Sequence, residues 1–101
     1  MPLTITHNSG AQCFEGVAAG QSANEAAVCS YRRVGDLLVL HHTEVPLALQ
    51  GQGVAGELVQ AVLDWARAQG LRVRPTCSYV AAYMRRHPHT QDLLENPGDT
   101  R

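Results

Sequence analysis

The stretch Gln50-Gly51-Gln52-Gly53-Val54-Ala55 joins an extended run, residues 37–45, to an amphipathic helix that begins at Val54. The glycines at 51 and 53 carry no side chain that would keep an anion away from the backbone. The unpaired amides and the dipole at the start of the helix both favour negative charge. The stretch therefore predicts a site for a pyrophosphate-bearing cofactor, and the alternative is a plain turn before a glycine-rich helix start.

Two familiar phosphate-binding motifs are excluded by what the sequence lacks. A P-loop requires Gly-Lys-Ser/Thr, and this chain contains no lysine. A dinucleotide-binding fold requires a third glycine and two βαβ halves, for which 101 residues leave too little chain.

Length and composition indicate one small globular domain, residues 1–101. The hydrophobic fraction is 45% and the charged fraction is 17%, and no apolar run is long enough to span a bilayer. An active site must therefore share the elements that form the core. We expect the tail Asn96-Pro97-Gly98-Asp99 to be disordered.

Charge and cysteine content narrow the expected partners and location. The net charge of −1 gives no basic field for nucleic acid, and we expect no membrane association. The N-terminus lacks the layout of a secretion signal, and the three cysteines lack metal-like spacing, so we expect a reducing cytoplasm and no metal. A polyanion would be bound locally, by the glycine turn and the Arg85-Arg86 pair, for which a solvated helix face is the alternative.

The first half of the chain predicts an antiparallel meander of four strands. The segments are residues 5–7, 13–17, 26–33 and 37–45. Val34-Gly35-Asp36 fits a hairpin turn, because Gly and Asp tolerate positive φ. Pro46 ends the fourth strand, because proline cannot donate to a ladder.

The second half predicts a helix, a strand and a second helix. Apolar residues recur at three- and four-residue steps over residues 54–69, and Gly70 follows as a stop. Residues 71–75 should form a strand parallel to the fourth strand, because a helix connects the two. We expect Ser78 to cap a second helix that Pro88 ends.

Together these elements predict an α/β (α+β) domain, in which an antiparallel meander gains one parallel strand pair. If Pro46 ends the pairing, the two parallel strands can separate at their C-terminal ends and leave unpaired backbone groups on each side. An extended ligand with amide groups could then lie between Thr43 and Cys77, with its phosphates at the glycine turn.

Four segments, in this order, resemble the minimal members of the GNAT acetyltransferase superfamily. They are His42-Thr43-Glu44-Val45-Pro46, Gln50-Gly51-Gln52-Gly53-Val54-Ala55, Pro75-Thr76-Cys77-Ser78-Tyr79-Val80 and Tyr83-Met84-Arg85-Arg86-His87-Pro88. The resemblance covers about residues 4–95 and implies a GNAT-like mixed sheet with two main helices and a splayed strand pair. It also implies acetyl-CoA as the cosubstrate. The N-terminal helices that build the acceptor pocket of larger members are missing, so the acceptor stays unidentified.

The resemblance assigns the cofactor-binding residues. Gln50, Gly53 and Ala55 occupy the defining positions of the turn that binds the acetyl-CoA pyrophosphate in the family. The remaining predicted contacts are Gly51, Gln52, Val54, Thr43, Glu44, Val45, Arg85 and Arg86.

Candidate catalytic residues are Cys77, His42 and Tyr83. Cys77 precedes a helix start that should stabilise its thiolate, and the resemblance pairs it with His42. Strand alternation is expected to place Leu38, Leu40, His42 and Glu44 on one side. By the resemblance, Tyr83 could donate a proton to the departing CoA thiolate. The alternatives are a small core cysteine, a structural strand histidine and a core tyrosine.

Three functions remain open at this point. An enzyme would transfer acetyl from acetyl-CoA to an amine, directly or through Cys77. A binding module would hold acetyl-CoA without transfer, and a scaffold would use the fold only for protein contacts. We favour the enzyme. An exposed sheet edge also allows a homodimer, although the sequence leaves the oligomeric state open.

Overall fold

The computed structural model describes residues 3–95 and contains a five-stranded sheet and two α-helices. The strands are β1 (Leu3–Asn8), β2 (Cys13–Ala18), β3 (Ala27–Val34), β4 (Leu37–Glu44) and β5 (Arg72–Pro75), and the helices are α1 (Val54–Ala68) and α2 (Ser78–Arg86). Short 3-10 turns span Ala23–Glu25, Leu47–Leu49 and Pro88–Leu93. The tail that was expected to be disordered lies outside the described residues.

The strands follow one another across the sheet in the order β1-β2-β3-β4-β5. The first four are antiparallel, and β5 pairs with β4 in parallel, which confirms the predicted mixed sheet. Gly35 forms the predicted β3–β4 hairpin turn with φ of +60°, and Gly70 follows α1 with φ of +72°. Both conformations favour glycine because it has no Cβ.

Both helices lie against the same face of the sheet. The apolar stripe of α1 is fully buried, and α2 joins it through a hydrogen bond of 2.6 Å from the Tyr83 hydroxyl to Gln60. Leu38, Leu40 and Val73 supply the buried strand residues beneath these helices. No helix among residues 3–95 packs on the other face, which we call the open face.

β4 contains a β-bulge that the sequence analysis did not predict. Ser30 on β3 pairs with His42, but the next residue, Tyr31, pairs with Leu40. His41 is therefore the extra residue on β4 and has no opposite partner on β3. A bulge of this kind shifts the alternation of side chains by one residue.

The shift decides which side chains at the end of β4 face the helices. Thr43 pairs with the fully buried Cys29 and lies on the helix side with it. His42 and Glu44 therefore point to the open face. The prediction that they share the side of Leu40 was wrong, because it assumed uninterrupted alternation.

The start of α2 also differs from the prediction. Cys77, in an extended conformation, is the N-cap residue, and Ser78 is the first residue of the helix. The amides of Thr76 and Cys77 both donate to the Leu40 carbonyl oxygen, at 3.1 and 3.0 Å, which holds Cys77 outside the helix.

The last described residues are held against the edge of β5. Leu94 forms a single parallel bridge with Val73, and the Glu95 amide donates to the Val73 carbonyl oxygen. Arg74 donates to both carboxylate oxygens of Glu95, at 2.6 and 2.9 Å. Within residues 3–95, no helix is long and apolar enough to cross a membrane.

Candidate functional site

The parallel strands β4 and β5 stop pairing after Leu40 and Pro75. Pro75 has no amide hydrogen, and the next two amides both turn onto the Leu40 carbonyl oxygen. From there the chain enters α2, while β4 continues beside β3 to Glu44. The predicted separation of the strands is therefore present, but it begins at Leu40 and not at Pro46.

The glycine turn adopts the conformation that only glycine holds easily. Gly51 and Gly53 have φ of +81° and +76°, and nothing lies within 4 Å of the position that a Cβ would take at either residue. Gly53 is the N-cap of α1 and offers no side-chain hydrogen bond to the first amides of the helix. These amides, with the positive end of the helix dipole, can accept an anion.

The glutamines of the turn have a role that the sequence analysis missed. Gln50 donates through Nε2 to the Val45 carbonyl oxygen at 3.0 Å, and Gln52 donates to the Ala48 carbonyl oxygen at 3.2 Å. Both side chains therefore brace the turn. The Val54 side chain is buried in the core, so this residue can meet a ligand only through its backbone.

A cavity of about 400 Å³ opens beside the turn. Val45 bounds it on the side of β4, and Tyr79, in the first turn of α2, bounds it on the other. The remaining lining residues are Leu49, Gln50, Gly51, Gly53 and Ala55. The cavity thus lies between the two separated chain segments, at the start of α1.

A second, more open hollow of about 610 Å³ runs along the outer side of α1 toward α2. Gly53 and Tyr79 line both spaces, so the hollow begins where the first cavity ends. Arg86 and His87 lie on its α2 side, whereas Arg85 is not among its lining residues. The predicted arginine pair is therefore divided between a site residue and a surface residue.

Cys77 is half-buried at the start of α2, beside the end of β4. Its Sγ lies 3.6 Å from Oγ1 of Thr43. Burial alone would raise the pKa of the Cys77 thiol, but hydrogen bonds from the Val80 amide, the Thr43 hydroxyl and the Tyr79 amide outweigh burial and lower it. The thiolate is the nucleophilic form, so this environment favours reactivity.

His42 does not join Cys77. The bulge places it on the open face, where its Nε2 lies 3.4 Å from a carboxylate oxygen of Glu44. Both side chains are exposed. Among the predicted residues at the end of β4, Thr43 contacts Cys77 and Val45 lines the first cavity, while Glu44 does neither in the described chain.

Tyr83 is held inside a polar network between the helices. Its hydroxyl donates to Oε1 of Gln60, which also lies 3.1 Å from Nε2 of His89. The His87 ring stacks on the Tyr83 ring at 3.9 Å between centroids. Burial raises the pKa of Tyr83. Tyr79, one turn earlier on the same face of α2, lines both the first cavity and the second hollow.

No group of three or more His, Cys, Asp or Glu side chains within residues 3–95 is arranged to hold a metal ion. The groups that line the site in the described chain are backbone amides, the Cys77 thiol, tyrosines and one arginine.

Comparison with known proteins places the chain in a family. A family model described as GCN5-related N-acetyl-transferase matches residues 14–93. Protein NATD1 of Mus musculus is 34% identical over 93 residues, which cover 91% of this chain and 83% of that protein. Protein NATD1 of Xenopus tropicalis is 38% identical over 71 residues, covering 69% of this chain and 65% of that protein.

Solved structures agree with the sequence comparison. The NMR solution structure of a GCN5-like protein from Staphylococcus aureus superposes with a TM-score of 0.71 at 30% sequence identity. The superposition covers 91% of this chain and 87% of that one. The predicted GNAT-like fold and the predicted enzyme class are thereby confirmed. The chain belongs to the GCN5-related N-acetyltransferase family and is an N-acetyltransferase by that membership.

Proposed function

We propose that this protein transfers an acetyl group from acetyl-CoA to a small or peptidic amine, and that Cys77 carries the acetyl group between the two. One observation carries the proposal. The glycine turn opens the start of α1 into a cavity bounded by Val45 and Tyr79, and a thiol of lowered pKa lies at the adjacent start of α2.

The residues around the two cavities fit the parts of CoA. The open amides that follow Gly53 suit the pyrophosphate, because they offer hydrogen bonds and a helix dipole to an anion. The gap that opens after Leu40 and Pro75 suits the amide-containing pantetheine arm, because β4 has lost its β5 partner there. Arg86, in the second hollow, suits a further phosphate.

The proposed transfer has two balanced steps. The Cys77 thiolate attacks the thioester carbonyl of acetyl-CoA, a carbon–sulfur bond forms to Cys77, and the bond to the CoA sulfur breaks. The CoA thiolate takes up a proton. The acceptor amine then attacks the acetyl-Cys77 thioester, an amide forms, the amine nitrogen loses a proton, and the Cys77 thiolate is regenerated.

His42 has no part in this route, because its ring lies on the open face whereas the amine would attack acetyl-Cys77 on the helix side of the sheet. One further role stays a prediction. Tyr83 would donate a proton to the CoA thiolate, and it would have to leave its hydrogen bond to Gln60 to do so.

Binding is tested by thermal unfolding with CoA and acetyl-CoA. A ligand at about 100 times its Kd stabilises the folded state by about 2.7 kcal/mol. Gly53→Glu should abolish this stabilisation, because a carboxylate would occupy the anion site. Gly53→Ala has the same backbone strain without the charge and should keep part of the stabilisation by CoA. Gly35→Glu, another left-handed glycine away from the site, should bind normally.

The second test separates the two arginines. Arg86→Ala should weaken CoA affinity and flatten its dependence on salt, whereas Arg85→Ala should change neither. Equal effects of the two substitutions would contradict the assignment of the second hollow to a CoA phosphate.

The chemistry is tested by mass spectrometry after incubation with acetyl-CoA alone. An acetyl-sized increase should appear on the Cys77 peptide, and Cys13 and Cys29 should stay unmodified. A screen of amines, followed through the release of the CoA thiol, then measures turnover. Full-rate amine acetylation by Cys77→Ala would exclude the covalent route and leave direct attack by the amine.

A binding module that holds acetyl-CoA without transfer is the second candidate, favoured by the openness of the second hollow to solvent. It predicts stabilisation by CoA together with no CoA release for any amine. A scaffold predicts no stabilisation by CoA at all.

A further inference from the structure

The open face of the sheet has two halves of opposite charge. Glu15, Val28 and Glu44 lie in one row across β2, β3 and β4, because each directly pairs with the next. Adjacent strands are about 4.8 Å apart, so the two carboxylates flank Val28 at roughly 10 Å from one another. This row is the acidic half.

The other half of the open face is basic. Arg32 lies four residues after Val28 on β3 and therefore on the same face, and it pairs across β4 with Val39, which in turn pairs with Arg74. Arg74 is already neutralised by Glu95. Arg32 makes no hydrogen bond or ion pair with any described residue. Arg72, opposite Leu37, is a further exposed cation of this half, but it lies on the edge strand β5 and donates to the Asp92 carbonyl oxygen.

The row between the two halves consists of Cys13, Ser30 and His42. A two-fold axis parallel to this row, about 5 Å above the open face, would lay β3 antiparallel over β3 of a second copy. Val28 of one copy would then face Arg32 of the other. Each Arg32 would enter the space between Glu15 and Glu44 and meet two carboxylates over an apolar residue.

We propose that the open face is a self-association surface, on which a second copy packs in this antiparallel arrangement. The face also carries exposed or half-buried apolar side chains, namely Val17, Val28, Val34 and Leu37. Sheets pack face to face about 10 Å apart, and charge pairs of this kind fix the register of an interface more than they add affinity.

The area of the open face sets the expected affinity of the dimer. Five strands about 4.8 Å apart and on average roughly six residues long cover on the order of 500 Å² per copy, or about 1,000 Å² in total. This lies at the low end for specific interfaces, so we expect a weak, micromolar dimer that salt dissociates.

A charge-swap experiment by sedimentation velocity tests the proposal. The unmodified chain should dimerise at about 100 μM protein in low salt and become monomeric in high salt, as expected for screened charge pairs. Arg32→Glu should be monomeric, and so should the double variant Glu15→Arg/Glu44→Arg. An equimolar mixture of the two variants should restore a dimer, because each face then complements the other.

Asp64→Arg is the matched control, because it reverses an exposed carboxylate on the helix side of the molecule. It should dimerise as the unmodified chain does. Circular dichroism of every variant checks that it is folded. A monomeric unmodified chain at low salt, or a dimer that survives both swaps, would overturn the proposal, and the second result would point to the free edge of β1 instead.

Discussion

Cys29 and Cys77 lie on either side of one hydroxyl group, that of Thr43, and yet the pKa values of their thiols are shifted in opposite directions. Burial raises the pKa of Cys29 to about 11, against a smaller lowering by its hydrogen bond with Thr43. The pKa of Cys77 is lowered, because the burial that opposes ionisation is outweighed by hydrogen bonds from two helix amides and the same hydroxyl. One thiol lies in the paired part of the sheet and the other where the sheet separates.

The difference shows how the separation of two strands leaves backbone groups free to stabilise a reactive thiolate. Where β3 and β4 pair, the backbone groups are used in the ladder except at the bulge, and the side chains on the helix side form core. Where β4 loses β5, the helix start beside Cys77 keeps free amides, and these stabilise an anion. The Thr43 hydroxyl has a single hydrogen and can donate it to only one sulfur at a time. Cys29, as a thiol, can donate to Thr43 Oγ1 and leave the Thr43 hydrogen for the Cys77 thiolate.

The largest expected effect tests the paired region. Leu40 is fully buried, and Leu40→Ala should lower the free energy of unfolding by about 2–5 kcal/mol, through lost burial and a cavity. Leu47, in the loop of the separated region, is 84% exposed. Leu47→Ala should change stability by less than about 0.5 kcal/mol. Urea unfolding measures both, and similar losses would erase the distinction between the regions.

The second prediction compares the two thiols directly. The ordinary pKa of 9.0 is an upper bound for Cys77, and the pKa of Cys29 is about 11, so their thiolate fractions at neutral pH differ by at least about 100-fold. Iodoacetamide should label Cys77 faster by at least that factor, as measured by peptide mass spectrometry. The rate at Cys77 should rise with pH and level off at a lower pH than the rate at Cys29. Comparable labelling of Cys29 in folded protein would refute the comparison.

A third prediction removes the hydroxyl that the thiols share. Thr43→Val should raise the pKa of Cys77 and slow its alkylation at neutral pH by about 2- to 12-fold, the worth of one hydrogen bond. Thr43→Ser keeps the hydroxyl and should preserve the rate. If valine and serine behave alike, the helix amides alone set the acidity of Cys77.

The smallest effect concerns a titrating group within the packed region. His7 stacks on Phe14 at 4.2 Å between ring centroids, and its Nε2 lies 2.6 Å from the Tyr31 hydroxyl oxygen. Burial lowers the pKa of His7 below 6.5. The unfolded chain therefore binds this proton more readily, so the stability contribution is complete above pH 6.5 and is lost as the pH falls below it.

Urea unfolding between pH 7 and pH 5 measures this decline. His7→Phe should flatten it, because phenylalanine keeps the stacking without a titrating nitrogen. Asp92 and Glu95 have lowered pKa values and titrate below this window. An unchanged slope in His7→Phe would assign the pH dependence to other groups.

Much of the fold was predictable because its signals are local. The three- and four-residue spacing of apolar residues gave α1 to within one residue of its observed end, and Gly35 marked the hairpin. The glycine turn was predictable for the same reason. Left-handed φ at Gly51 and Gly53 is a property of those residues themselves.

The remaining features depend on how the chain folds back on itself, between distant strands and helices or within a loop, and no local sequence pattern specifies this. Nothing in the sequence around His41 marks the bulge, so the face of His42 was assigned wrongly. The bracing of the turn by Gln50 depends on a carbonyl oxygen at Val45, and the difference between Arg85 and Arg86 depends on how α2 lies against α1.

Because His41 is an extra residue, the alternation of side chains between the two faces of β4 shifts by one residue at that point. If His41 instead paired with Ser30 in an unbroken ladder, the His42 imidazole would face the helices and the Thr43 hydroxyl would point away from Cys77. Deleting His41 would remove the bulge and leave both side chains on their present faces. A sequence alignment matches residues by position and does not record which face of the strand each side chain occupies. For relatives that align without a gap in β4, a histidine in the column of His42 therefore has the same surroundings only if both proteins carry the bulge, and residue roles across β4 should be transferred after that point has been checked.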